Sequence, residues 1–419
     1  MSTVNLNPTS AQMLQTLQSP YYGMVFLGLA AQAYTAEGDW SKIPLALYTA
    51  LTQTQYTPSL PAPGQAGVDS PQALAGAWSL DWGPANGQDG SGDNSNLLYI
   101  ASYRAQNNPN YEKNWPYFFV VAIRGTDTSA GPLALWKQLG EDLGDFNLTS
   151  WAGLVSNGQI PIPNSSDTSS LSGNIANGTS DGFTVLATST APLNNGQPPS
   201  SNGTPLSLIA ALNSLLQQYP NTPVVVTGHS LGGAQSQPIA AYLGWQLSGI
   251  TTVMAQPFAP PTAGDQGFIN TYQSFCPNSY FWYNTLDLIP YAYITMGSQS
   301  GLQWANQNLW TSYEWPGGST SGPSLPSLLS GLIDVFGNDI PSSYVRPSSG
   351  VQALQGSLPQ QTQIQQFLNG MGFPWDLLSW NGSDAQLAWQ HFPPSYFAYM
   401  SSQYGSSIVN YMTTPYKPS

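Results

Sequence analysis

Apolar positions along this chain follow two different periods. Leu206, Ile209, Leu212, Leu215 and Leu216 recur at helical spacing between Pro205 and Tyr219, and Pro220-Asn221 stops that helix. Val224-Val225-Val226 follows without alternation, as a β-branched strand buried on both faces does, and Leu231 to Leu247 reads as the next helix. Tyr117 to Ile123 and Thr251 to Met254 are two more short apolar runs of strand type. Earlier, Tyr21 to Tyr34 predicts a buried helix with Met24, Leu27, Ala31 and Tyr34 along one stripe. Strands alternating with helices in this way predict an α/β protein with a mostly parallel central sheet flanked by helices.

Between these elements lie stretches rich in Gly, Ser, Asn and Pro: Gly83 to Asn96, Ser156 to Asp181, Ala191 to Gly203 and Gly317 to Pro326. They read as surface loops. None separates two cores, because the strands on either side fit one sheet, and no repeat of 20 to 50 residues is present. One domain over residues 1–419 is expected.

Composition narrows the function. Seven Lys+Arg stand against 20 Asp+Glu, a net charge of -13, so a phosphate backbone would be repelled and nucleic acid is excluded as a partner. A single cysteine, Cys276, leaves no intramolecular disulfide and reads as a small buried apolar residue. Cysteine and two histidines form no metal-binding spacing, so neither metal nor cofactor is expected. The first basic residue is Lys42, and the apolar run Tyr21 to Ala33 is too short to cross a bilayer. No ordinary secretion signal or transmembrane segment is therefore read, although the acidic, lysine-poor composition points to an extracellular location, with a cytoplasmic one left open.

The chemistry centres on Gly228-His229-Ser230-Leu231-Gly232, a G-x-S-x-G where a strand ends and a helix begins. Such an elbow strains the serine backbone, so small residues must stand two before and two after it, and Gly228 and Gly232 do. The Leu231 N–H, at the start of the helix, is placed to help bind an oxyanion. A serine nucleophile needs a base. His229 is adjacent to Ser230 with its side chain diverging from the hydroxyl, which leaves His391 as the base by elimination. Seven carboxylates lie between Ser230 and His391: Asp265, Asp287, Glu314, Asp334, Asp339, Asp376 and Asp384. Asp287 is favoured because Tyr280 to Asn284 reads as a strand ending just before it, with Asp384 the main rival.

These residues resemble the fungal-type, or class 3, triacylglycerol lipases. Tyr219-Pro220 through Ala234 is similar to the family's elbow block, Gln256-Pro257 with Gly264-Asp265 and Phe268 to its "GqPrvGn..F" segment, and Asn284 to Pro290 to its "vN..D.vP" block. His391-Phe392-Pro393-Pro394-Ser395-Tyr396-Phe397 is similar to its terminal H-x-x-Y-type segment. The resemblance implies an α/β-hydrolase fold, Asp287 as the acid and His391 as the base. It also implies Thr126, in Val121-Ala122-Ile123-Arg124-Gly125-Thr126, as the second oxyanion donor beside Leu231.

In such lipases the segment after that donor is a lid, which here is residues 127–143, with Leu133, Leu135, Trp136 and Leu139. Two departures stand out. Thr179-Ser180-Asp181-Gly182-Phe183 replaces the family's "VHxGF", and residues 298–381 read as an insertion or cap carrying Trp304, Trp310 and Trp315. The expected activity is hydrolysis of acylglycerol esters, with contact at a lipid–water interface. Phospholipase A1, feruloyl or other carboxylesterase activity on the same scaffold stays open, as does an idle scaffold that only binds, against which Ser230, Asp287 and His391 weigh.

Overall fold

Consecutive valines 224, 225 and 226 are all buried, yet they pack on opposite sides. Val224 and Val226 join one core with Phe119, Val121, Ile123, Val253 and Ala255, whereas Val225 joins the other with Val120, Ala122 and Met254. Side chains of a strand alternate faces, so an unbroken apolar run means a sheet covered twice. The computed structural model describes residues 10–34, 40–52, 60–61, 73–74, 76–87, 96–106, 112–125, 147–200, 202–291, 343–357, 362–363, 366 and 389–404.

The central sheet has seven strands: β1 (Gly76–Gly87), β2 (Asn96–Ala105), β3 (Pro116–Ile123), β4 (Val224–His229), β5 (Val253–Phe258), β6 (Phe281–Asn284) and β7 (Val351–Leu354). Their spatial order is β7-β6-β5-β4-β3-β2-β1. From β3 to β7 neighbouring strands are parallel, while β2 is antiparallel to both β1 and β3. The register Val226↔Val121 and Val226↔Ala255 sets β4 in the middle, so its C-terminal end opens between two parallel neighbours. This is the α/β-hydrolase architecture, with a mostly parallel sheet and helices on both faces.

One face is covered by α1 (Pro20–Gln32) and α7 (Pro393–Tyr404), the other by α3 (Asn177–Thr188), α4 (Leu208–Gln218), α5 (Leu231–Gln246) and α6 (Gln266–Phe275); α2 (Ile43–Thr52) packs on β1. Ser19 caps α1 by accepting from the Tyr22 N–H, and Pro20 occupies the first turn, where no amide donor is missed. Tyr22 through Gln32 are buried all round, more than the single expected stripe, because α1 is enclosed between the sheet and α7. α2 keeps the ordinary pattern, with Ile43, Leu47 and Leu51 buried at intervals of one turn.

Three readings need correction. The loop expected over Gly83 to Asn96 begins as strand, since β1 runs to Gly87. The loop expected over Ser156 to Asp181 contains a short strand, Asn174–Ala176, and the first turn of α3. Asn177, Gly178 and Thr179 are poor helix formers, and this helix is held by Phe183, Leu186 and Ala187 buried beneath it, with Phe183 edge-on to Trp151 at 4.9 Å. Finally, Val351–Leu354 lies within the segment read as an insertion, yet it is the edge strand of the main sheet. The remainder of 298–381, including its tryptophans, lies almost wholly outside the described residues.

Candidate active site

Ser230 stands between the end of β4 and the start of α5 with φ 59° and ψ -126°. A non-glycine residue in that region carries about 1–3 kcal/mol of strain, and its neighbours must yield space for it. A Cβ on Gly228 would lie 2.1 Å from the Gly232 carbonyl oxygen, and one on Gly232 would lie 2.5 Å from the Ile123 oxygen. Only glycine permits either approach. The Ser230 N–H is spent on the Phe258 carbonyl at 2.9 Å, which ties the turn to β5. Leu231 opens α5, so its N–H belongs to the first turn of the helix, where backbone donors lack intrahelical partners.

His391 and Asp287 meet this serine from the far end of the chain. His391 Nε2 is 2.8 Å from Ser230 Oγ, and its Nδ1 lies 3.0 and 3.1 Å from the two oxygens of Asp287. A carboxylate only accepts, so Nδ1 carries the proton and Nε2 presents its lone pair to the hydroxyl. All three side chains are buried, with Asp287 fully so. Asp287 sits just past β6, and its Oδ1 accepts from the Ile289 N–H at 3.0 Å.

The other Asp287 oxygen accepts from Tyr396 Oη at 2.7 Å, and that hydroxyl in turn accepts from the Asn284 N–H at 3.0 Å. Burial, then the adjacent Asp287 charge, push Tyr396 well above the ordinary phenol range, so it remains a donor. Asn284 Nδ2 also donates to the Gln390 backbone and side-chain oxygens at 2.9 and 2.7 Å. Thus the end of β6 holds both Asp287 and Gln390, the residue before His391.

The structure brings Ser230, Asp287 and His391 together and places Leu231 at the start of α5. Thr126 and residues 127–143 lie outside the described residues, although Gly125 stands against the elbow. Asp265, one of the alternative acids, caps α6 instead, accepting from Phe268 N at 2.9 Å and Asn174 N at 3.0 Å. Glu314, Asp334, Asp339, Asp376 and Asp384 are outside the described residues.

Three residues beside the site were named in the sequence but given no role there: Tyr396, Tyr34 and His229. Tyr396 was within the quoted terminal segment, but five places after His391, where spacing alone names no partner. His229 does diverge from the serine hydroxyl, and its Nε2 reaches the backbone oxygen of His391 at 2.7 Å. Burial, with the His391 charge second, lowers His229 well below the usual imidazole range, which keeps the ring neutral.

Over residues 120–296 the chain matches the family model described as Lipase (class 3). A curated relative from Gibberella zeae, "Secreted mono- and diacylglycerol lipase 3", is 28% identical over 165 residues, which cover 36% of this chain and 50% of the relative. The chain thus spans about half the length of that relative. The solved structure of "M37 lipase" superposes with a TM-score of 0.59 at 17% identity, covering 93% of this chain and 97% of that one, a likeness of fold.

Proposed function

We propose that this chain, which matches the class 3 lipase model over residues 120–296, hydrolyses carboxylic esters of acylglycerols through an acyl-enzyme formed on Ser230. The observation that carries this reading is the 2.8 Å approach of His391 Nε2 to the hydroxyl of a strained elbow serine, with Asp287 behind the imidazole. As Ser230 Oγ attacks the ester carbonyl carbon, its proton passes to His391 Nε2 and the carbonyl electron pair moves onto oxygen. The Leu231 N–H, and that of Thr126 by its place in the family motif beside Gly125, donate to this oxyanion. Collapse expels the alcohol, which takes the proton from His391. Water then attacks the acyl-enzyme by the same route and restores Ser230. Asp287 orients the ring and balances its transient charge.

Acylglycerols are the proposed substrates because of the family and because the Gibberella zeae relative bears that name; its description as secreted supports an extracellular location. By its position after Thr126 in the family pattern, segment 127–143 is proposed to cover the site. Among the described residues no helix is long and apolar enough to cross a membrane.

Turnover of mono-, di- and triacylglycerol emulsions and of phosphatidylcholine, for the wild type and Ser230→Ala, tests the reading. Acylglycerol hydrolysis is expected, with kcat lowered on the order of 10⁴-fold or more in the variant. Equal turnover by both proteins would sink the mechanism, and preference for phosphatidylcholine would redirect the substrate.

A further inference from the structure

His229 is a buried imidazole that the proposed mechanism leaves without a task, yet both of its ring nitrogens have neighbours. Nε2 is 2.7 Å from the backbone oxygen of His391. A carbonyl cannot donate, so Nε2 must carry the hydrogen, and because the ring is neutral Nδ1 is a bare acceptor. Tyr34 Oη lies 3.5 Å from Nδ1 and 3.5 Å from the His229 backbone oxygen. The same hydroxyl accepts from the Gly125 N–H at 3.1 Å. Donors therefore run one way: Gly125 N–H to Tyr34, Tyr34 O–H to His229, His229 Nε2–H to His391.

The two ends of this chain are what give it meaning. Gly125 lies two residues past the end of β3 and immediately precedes Thr126; a Cβ there would stand 2.3 Å from Tyr34 Oη, 2.5 Å from the His229 oxygen and 3.3 Å from Ser230 Cβ. At the other end is the backbone of the residue whose ring faces Ser230. We propose that Tyr34 is a positioning residue for ester hydrolysis, its hydroxyl fixing the end of β3 against the elbow and, through His229, the backbone of the base. This rests on the ester-hydrolase reading above. Misplacing a reacting group by about 1 Å lowers a rate by up to about 100-fold, so a hydroxyl that sets two such groups acts on turnover more than on binding. The arrangement also keeps a neutral ring beside His391, 4.9 Å between centroids, where a second cation would oppose the imidazolium formed in each half-reaction.

The test is Tyr34→Phe, which deletes the hydroxyl and keeps the ring, assayed on p-nitrophenyl butyrate per site titrated with a fluorophosphonate. We expect kcat to fall roughly 10- to 100-fold with KM within about twofold. A parallel pair is His229→Phe, expected to lose a similar factor, and His229→Gln, whose amide can still donate to His391 and should recover most of that loss. The double variant Tyr34→Phe/His229→Phe should be no worse than the more impaired single, since the two belong to one chain of bonds. An unchanged kcat in Tyr34→Phe, a loss confined to KM, or His229→Gln as impaired as His229→Phe would each overturn the proposal. Should Tyr34→Phe not fold, the His229 pair decides alone. A Ser230→Ala control separates the two readings: equal turnover with the wild type removes the ester-hydrolase reading and this one with it, while an inactive Ser230→Ala beside an unimpaired Tyr34→Phe removes only this one.

Discussion

Half-buried Arg104 and fully buried Asp81 pair 2.7 Å apart in the antiparallel half of the sheet, and buried His391 and Asp287 pair 3.0 Å apart at the end of the parallel half. The two carboxylates are equally buried, and each accepts a second side-chain hydrogen bond: from Ser79 at 2.8 Å for Asp81, from Tyr396 at 2.7 Å for Asp287. Their difference lies in the partner and in the strands. A guanidinium holds its protons at any working pH, so the Asp81 pair can only orient and balance charge. An imidazole has a second nitrogen that exchanges a proton, and at His391 that nitrogen faces a hydroxyl. Strand direction decides what can gather around it. Parallel neighbours β3 to β6 all end at one edge, where Gly125, Ser230 and Asp287 follow their strands. Antiparallel β1 and β2 end at opposite edges and assemble no such cluster.

If that contrast is right, breaking each pair should give opposite signatures. Asp287→Asn retains the shape of the acid but reverses the proton preference of His391 Nδ1, and kcat on a soluble ester should drop by about 10³- to 10⁴-fold while the melting temperature changes little. A loss below tenfold would mean that Asp287 does not orient the base.

Arg104→Ala should do the reverse. Left without its counter-charge, the Asp81 carboxylate is an unpaired buried anion, and the variant should lose about 3–5 kcal/mol of stability in urea unfolding. Turnover per folded molecule should match the wild type. Burial, opposed by Arg104, already raises Asp81 above 3.8 in the folded protein. Removing Arg104 takes away a lowering influence, so the deficit should shrink as pH falls through the folded value and Asp81 binds a proton. A deficit that grows on acidification would contradict this account.

The smallest expected effect sharpens the comparison from the side of His229. Its folded value is depressed below 6.5, so the unfolded chain takes up a proton first, and stability that is full above 6.5 declines as pH falls towards the folded value. The decline is at most about 1.4 kcal/mol per pH unit. Denaturation between pH 7 and 5 should show a steeper loss for the wild type than for His229→Gln, and parallel curves would exclude the effect.

Much of the architecture was legible where local pattern and tertiary placement agree. The helix ending at Pro220, the valine strand, the elbow and α5 follow one another with their chemistry intact. The antiparallel pair escaped notice because β1 runs on through Gly83-Pro84-Ala85-Asn86-Gly87, residues that locally favour turns, and its stability comes from partners across the sheet. The first turn of α3 escaped for the same reason, since Asn177, Gly178 and Thr179 are held helical by packing rather than propensity. The edge strand Val351–Leu354 is short, and nothing in its four residues says which sheet it joins.

The candidate site divides along the same line. Ser230 was legible in the sequence as the candidate nucleophile, because an elbow needs glycine on either side of it within a strand–helix turn and those residues are adjacent in the chain. His391 was singled out as the candidate base by scarcity: of two imidazoles, one neighbours the serine and points elsewhere. Tertiary structure decided where the rejected imidazole points, that Asp265 caps a helix while Asp287 meets His391, and that Tyr396 and Tyr34 complete the hydrogen bonding on either side. Those relations join residues 91 to 195 positions apart. No local period records which residues folding will bring within hydrogen-bond reach of one another.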